Sequence, residues 1–462
     1  MTRRLRAVVV AAVFLTPACG LKTPPDTTAI RSEAMPTVRV PEAWRAGTAG
    51  AGVIADNWAA GFHDEQLSAA IAEAIANNAD LRIGAARVEQ AMLYAKLAGA
   101  RLYPSVDLLA KGGGKLSGDG SGLTGAVLSV TWELDLWGRV RYGRAAARAD
   151  AVSAAADFEF ARQSMAALVA KSWFLATEAG LQADMARATL RDGEALVGLA
   201  EARARIGVGN DEDIYVARAS VGTYRDVLRD IELAREQAIR ALELLMGRYP
   251  AAAVDVTAKL PGQPDAVPAG LPSQLLERRP DVVAAERRVA AAFNRREEAK
   301  AARLPTISLT TGVSAISSEL FLLKNRDNPV WNIGASLLAP IYKGGALKTQ
   351  VEIRTAEQRQ AIAGYASVGL RAFGEVESAL AAESAARERE GILTQTQADN
   401  QRAYDVVQTQ FRVGSTDLRY VTQRQLALNA SRSALIRMQA EQRVQRVNLH
   451  LALGGSFDTR KP

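Results

Sequence analysis

From residue 130 the chain reads VTWELDLWGR, with Val130, Trp132, Leu134 and Leu136 on one face and Thr131, Glu133, Asp135 and Trp137 on the other. Alternation at period two predicts a half-buried strand. The next segment has another character, because no proline occurs between Pro104 and Pro250 and the residues after 139 are rich in Ala and Arg. That composition predicts helix, with one long segment over about 143–206 spanning on the order of 95 Å at 1.5 Å per residue. Beyond it, Ile214, Ala217, Val221, Tyr224, Leu228, Ile231, Arg235, Ala238, Leu242 and Leu245 step alternately by three and four. A 3.5-residue period imposes a left-handed supercoil on packed helices. Val421, Leu428, Leu435, Met438 and Leu449 repeat the stripe, interrupted by Arg424, Gln442 and Gln445.

The pattern occurs twice. ARLYPSVDLL (100–109) matches ARLPTISLTT (302–311), and VTWELDLWGRVRYGRAAA (130–147) matches ASLLAPIYKGGALKTQVE (335–352). RARIGVGNDEDI (203–214) matches TQFRVGSTDLRYV (409–421), and ALELLMG (241–247) matches NLHLALG (448–454). The pairs keep one order at offsets of roughly 200 residues, which marks an internal duplication. Each copy therefore reads helix, strand, strand, long helix, glycine turn, helix. The boundaries are a first repeat over 63–247, a connector over 248–272, a second repeat over 273–455 and a tail over 456–462. Five prolines between 248 and 274 exclude continuous helix there and leave room for a short strand. Residues 20–45 form a second proline-bearing stretch, expected to be extended.

The four strands fall near 105–115, 123–137, 306–317 and 331–341. Ile307, Leu309, Thr311 and Val313 alternate with Thr306, Ser308, Thr310 and Gly312. Trp331, Ile333, Ala335 and Leu337 alternate with Asn332, Gly334, Ser336 and Leu338. Lengths near ten residues with one apolar face suit membrane β-strands, although a soluble sheet with one buried face has the same pattern. Four strands cannot close a barrel, and lipid tolerates no open edge, because unpaired N–H and C=O groups find no water there. Membrane strands in this number require several chains to share one barrel. The segments 114–122 and 315–329 would then be the exterior loop tips.

The beginning of the chain, MTRRLRAVVVAAVFLTPACG, has the parts of a secretory signal over 1–18: basic Arg3, Arg4 and Arg6, apolar Ala7 to Leu15, and small Ala18. Cys19 comes next and is the only cysteine, so no internal disulfide can form. A lone Cys there resembles a bacterial lipoprotein box, which makes 19–62 a lipid-anchored segment. Thr16 stands where such boxes usually carry Leu, and simple cleavage leaving a free thiol is the alternative. Later residues contain no long apolar helical run.

Charge narrows the classes further. The formal net charge is +7, but Arg and Lys are interleaved with Glu and Asp, as in RREEAKAARL, which describes solvated helix faces rather than a nucleic-acid stripe. The only histidines, His63 and His450, lie far apart in sequence. KGGGK (111–115) lacks Walker spacing. With no catalytic constellation, metal set or cofactor motif, the chain reads as a non-enzyme.

Taken with the duplication, WELDLWGR (132–139), API-YKGG (339–345), the paired glycine turns and LALGG (451–455) closely resemble the TolC family of outer-membrane channels. The resemblance extends from about residue 40 to 455 and lies nearest the NodT-like lipoprotein branch serving efflux pumps of the resistance-nodulation-division (RND) class. It implies a mainly α fold with a β-barrel portion. Three protomers would give a twelve-stranded barrel in the outer membrane, continued by a coiled-coil α-barrel across the periplasm. It also implies partners: a periplasmic membrane-fusion adaptor, an inner-membrane RND pump and outer-membrane lipid. Trp132, Trp137, Gly138, Gly344 and Gly345 then mark the strand-to-helix junctions.

In the family the turns between paired helices meet the adaptor, and Arg205, Gly207, Val208, Arg412, Gly414 and Thr416 match them. A plain helix-ending glycine has the same sequence mark. Family channels are constricted near this end by acidic and aromatic side chains. Gln423 stands where relatives often carry Asp, and Phe411 where Tyr is usual. Asp417, Arg419 and Tyr420 are nearby, as a gate or as exposed tip residues. The expected function is a passive exit duct for small molecules across the outer membrane. The alternatives are a channel for type I protein secretion and a coiled-coil spacer without a pore.

Overall fold

The computed structural model describes residues 21–46, 56–111, 124–256, 258–264, 267–270, 272–317 and 330–457. The signal, Cys19, most of both strand-connecting loops and residues 458–462 lie outside them. The described helices are α1 (Thr27–Ala34), α2 (Glu65–Asn77), α3 (Ala79–Ala100), α4 (Arg139–Arg205), α5 (Asp211–Leu245), α6 (Pro272–Arg278), α7 (Pro280–Ala301), α8 (Ala346–Arg412) and α9 (Leu418–Ala452). The strands are β1 (Ser105–Lys111), β2 (Thr124–Leu134), β3 (Thr306–Ser317) and β4 (Val330–Leu338). The duplication extends to length. Helices α4 and α8 have 67 residues each, α5 and α9 35 each, and α3 and α7 22 each.

The chain forms two compact units, the first from residues up to 38 with 86–156 and 283–368, the second from 39–85, 157–282 and 369 onward. The first unit contains the sheet, antiparallel throughout in the order β1-β2-β3-β4. Val106 pairs with Val130, Leu108 with Leu128, Leu309 with Trp132 and Ala335, and Val313 with Leu128 and Trp331. Register thus gathers the apolar positions on one side. On the other, Ser129 faces Asp107 and Gly312, and Thr310 faces Thr131 and Gly334.

The second unit has a conventional core. Trp58, Phe62, Leu67 and Ile71 pack against Trp173 and Phe174 of α4 and Ile239 and Leu242 of α5. Ala166, Ala167, Ala170 and Ala176 keep α4 slim where α2 lies against it. A second cluster joins Leu196, Ala217, Tyr404, Phe411, Leu418, Val421 and Leu428. The buried stripe of α5 runs through Ala217, Val221 and Tyr224 as the heptad predicts, then shifts to Ile239, Leu242 and Glu243. Arg235, Ala238 and Leu245 end half-buried. A helix near 3.6 residues per turn drifts from a strict 3.5 repeat, and over ten turns the buried face rotates.

Two sequence expectations change. Residues 20–45 are not wholly extended, because the Asp26 side chain accepts the Ala29 N–H at 2.7 Å and starts α1. The described residues of the connector contain no strand. Its carbonyls are held instead by side chains, Pro261 by Arg443 at 2.9 Å, Pro264 by Arg446 at 3.0 Å and Ala269 by Trp44 at 3.0 Å.

Candidate functional site

The sheet exposes the face that an aqueous protein would cover. Ile333 is 89% exposed, Trp331 77% and Leu108 69%. Burying such a row against hydrocarbon is favourable at roughly 25 cal/mol per Å². Among the described residues both edges, β1 and β4, carry unpaired ladder groups, which lipid does not forgive.

The strand-to-helix junction uses WELDLWGR for separate tasks. Alternation continues to Leu136, but β2 ends at Leu134. Asp135 turns away from the ladder to accept the N–H groups of Val140 at 3.0 Å and Arg141 at 2.9 Å, satisfying the start of α4. Glu133 holds Arg139 in a two-pronged ion pair at 3.1 and 2.6 Å. Trp132 donates its indole N–H to the Leu102 carbonyl at 3.0 Å, and Trp137 to Pro305 at 2.7 Å, so each indole ties the start of a neighbouring strand. Gly138 has φ +77°, and a Cβ there would lie 2.7 Å from Leu21. Only glycine meets both conditions. In the second copy Gly344 and Gly345 have φ +57° and +82° with open space around them, so conformation alone requires glycine.

The two hairpin tips share one construction in the second unit. Gly207 (φ +77°) and Gly414 (φ +81°) end α4 and α8. Val208 N–H returns to the Arg203 carbonyl at 3.0 Å, and Ser415 N–H to Gln410 at 2.9 Å. That is a Schellman ending, which left-handed glycine makes possible. Asn210 and Asp417 then cap α5 and α9, accepting from Asp213 N–H at 2.8 Å and Tyr420 N–H at 3.3 Å. Arg205, Val208 and Arg412 are exposed, and Thr416 is half-buried.

The five gate candidates do not form one cluster. Phe411 is buried in the packing between the hairpins, whereas Tyr420 and Gln423 are exposed. Arg419 pairs with Glu212 at 3.3 Å, and Asp417 serves as the cap. Burial raises the proton affinity of Asp213 above the ordinary carboxylate value; Arg203 opposes this, and Asp417 and Glu212 add to it. Sequence reading missed Arg203. Its guanidinium stacks 4.6 Å from the Phe411 ring centroid, donates to the Phe411 carbonyl at 2.6 Å and reaches the Val208 carbonyl at 3.3 Å. The signal was present as an Arg four residues before a tip glycine, within reach of both turns.

Three buried charges in the second unit also escaped notice. Glu243 accepts the N–H groups of Ala252, Ala253 and Val254 at 2.7, 2.7 and 3.1 Å. Burial opposes its charge, but these three donors hold its carboxyl below the usual value. Arg279 is fully buried between Asp281, Glu375 and the Ala452 carbonyl. Arg446 is bound by Glu383. Arg-Pro-Asp at 279–281, with proline at the first helical position of α7, was a legible helix start.

An apolar-faced antiparallel sheet open at both edges, joined by capped turns to long helical hairpins, defines an outer-membrane channel subunit. Comparison with known proteins agrees. The description Outer membrane efflux protein matches residues 70–248 and 271–455. Cation efflux system protein CusC of Escherichia coli (strain K12) is 29% identical over 434 residues, covering 91% of this chain and 94% of CusC. Pyoverdine export outer membrane protein OpmQ of Pseudomonas putida is 29% identical over 462 residues, covering 96% of each. The solved open state of the Neisseria gonorrhoeae MtrE outer membrane channel has a TM-score of 0.82 at 27% identity, covering 96% of this chain and 99% of that one. The chain belongs to the outer membrane efflux protein family. It is an outer-membrane efflux channel of the kind that serves RND-type pumps.

Proposed function

We propose that this protein is a passive, non-enzymatic exit duct, closed at its hairpin tips at rest and opened by a periplasmic adaptor. The observation that carries this is the four-stranded sheet with an exposed apolar face and two unpaired edges. Three copies complete a twelve-stranded barrel, and the homotrimer works with an adaptor and an inner-membrane RND pump. Cys19 carries the diacyl anchor. Arg205, Gly207 and Val208, with Arg412, Gly414 and Thr416, present the tips to the adaptor. The exposed turns, and the open space where a Cβ on Gly207 would stand among the described residues, favour close backbone approach there.

Arg203 latches one hairpin to the other through Phe411. Asp417, Arg419, Tyr420 and Gln423, with Asp213 and Glu212, form the charged constriction beside it. Opening is a shift between two packings, biased by whichever partner binds the open one better. CusC and OpmQ carry different cargo in their names, a cation and pyoverdine. That contrast fits a duct whose selection is made largely by the pump.

Planar-bilayer conductance of the purified full-length protein, with its oligomeric mass in the same detergent, tests the duct. A trimer giving discrete steps supports it. A monomer that gives none, including as Arg203→Ala, removes it.

A further inference from the structure

The first unit contains a cavity of about 420 Å³ between α3, α4 and α7. Its floor is small, formed by Ala91 and Ala98 of α3 and Gly143 and Ala147 of α4. Its wall carries four arginines, Arg101, Arg139, Arg144 and Arg295, against two carboxylates, Asp150 and Glu298. Two of the arginines are matched, Arg139 by Glu133 and Arg295 by Asp150. No hydrogen bond or ion pair joins Arg101 or Arg144 to any described residue.

Glu298 is a weak counter-charge for them. It lies across the α4 backbone, its Oε1 2.9 Å from where a Cβ on Gly143 would stand, and it makes no ion pair among the described residues. Burial raises its proton affinity, although Arg139, Arg354, Arg101 and Arg295 oppose that. Tyr94 and Leu97 add exposed apolar surface beside the charges.

The cavity opens on a definable side. Glu133, which holds Arg139, belongs to the polar face of the sheet, opposite Trp132 and Leu134. The N-terminal segment flanks the same helices, Lys22 N–H donating to Tyr142 at 2.8 Å and its ammonium lying 3.9 Å from Glu297. On α4, Tyr142 lies on the far side of Arg139 from Gly143, about 60° around the helix from Arg139 and about 100° from Gly143 at 100° per residue. In a barrel whose apolar face meets lipid, the polar face is the lumen.

We infer that this cavity is a lumenal binding site for small organic anions, an oxyanion group held by Arg101 and Arg144 and an apolar body against Tyr94 and Leu97. The guanidinium fork suits carboxylate, sulfonate and phosphate oxygens. The site occurs once per chain and so three times around the duct. It rests on the duct reading and adds a substrate class to it.

The test uses full-length protein in detergent and two probes of matched aromatic body, benzenesulfonate and phenyltrimethylammonium, by equilibrium dialysis at low ionic strength. The wild type is expected to hold the sulfonate at least about tenfold better, with the preference fading as salt is added. Arg101→Ala with Arg144→Ala loses the preference, and Arg101→Lys with Arg144→Lys keeps most of it. The single change Arg144→Gln carries the same comparison should the double variant not assemble. Equal retention of both probes by the wild type, or an unchanged preference in Arg144→Gln trimers, overturns the site. Channel recordings on the same preparation separate the two ideas. A conducting trimer without sulfonate preference leaves the duct and removes the site. A preference in protein that forms no channel, including as Arg203→Ala, overturns the lumenal assignment.

Discussion

Arg203 lies over Phe411, its guanidinium carbon 4.6 Å from the ring centroid, and donates to the same residue's carbonyl at 2.6 Å, joining residues 208 positions apart in the sequence. The stack and the bond connect the end of α4 to the end of α8. A guanidinium–aromatic contact contributes about 0.5–2 kcal/mol and a charged hydrogen bond about 1.5–3 kcal/mol. Arg203→Ala therefore frees the tips from each other. Bilayer recordings are expected to show larger or more frequent openings than wild type, with trimer mass unchanged. Arg203→Lys, which keeps the charge but loses the guanidinium fork, should fall between them.

Gly207 and Gly414 test the turns. A β-branched residue at φ near +80° strains the backbone by about 1–3 kcal/mol and misdirects the returning N–H groups. Gly207→Val and Gly414→Val are expected to assemble and to abolish export in a drug- or metal-resistance assay. Wild-type resistance in both would remove the tip assignment.

Glu243 tests the connector. Replacing its carboxylate in Glu243→Gln takes the charge from three hydrogen bonds and leaves too few acceptors for Ala252, Ala253 and Val254. The loss is on the order of 2–3 kcal/mol. A lower thermal midpoint by circular dichroism, with faster proteolysis between 248 and 272, is the expected result.

His450 occupies the place in the second copy that Glu243 has in the first, and it behaves oppositely. It stacks on Trp58 at 5.8 Å, its Nδ1 has no hydrogen-bond partner among the described residues, and burial with help from Arg446 pushes its pKa down to about 3. The unfolded chain binds this proton near the ordinary histidine value of about 6.5, so it carries more protons than the fold between the two values. Stability contributed here is complete above about pH 6.5 and falls as pH drops toward 3. Glu243, with its depressed carboxyl, adds a loss that begins only below about pH 4.5. His450→Phe is expected to flatten the thermal midpoint between pH 6.5 and 4.5. An unchanged slope would refute the assignment.

Much of this architecture was written in periodicity. Alternation at 306–317 and 331–341 found β3 at its full length and β4 to within one residue at its start and three at its end, because membrane strands carry their environment in their own pattern. The duplication was legible because both copies kept their turn chemistry, glycine at 207 and 414 with a capping Asn or Asp three residues beyond. Where local pattern and local geometry coincide, sequence suffices.

It did not suffice where a side chain has two possible uses. Leu136 continued the alternation of β2, but Asp135 had already been taken to cap α4, and a carboxylate bonded to helix N–H groups cannot remain in a strand. Phe411 looked like a lumen aromatic, and supercoil phase buried it under Arg203. Nothing in the sequence singled out Arg101 and Arg144 among the interleaved charges; α7, which carries Glu298 across Gly143, brings them to one cavity. The sequence by itself determined the elements, their order and their doubling, since these depend on spacing within one segment. The tertiary structure decided which charges are paired, which are buried and which are left facing a cavity, because those depend on residues hundreds of positions apart meeting at a few ångströms.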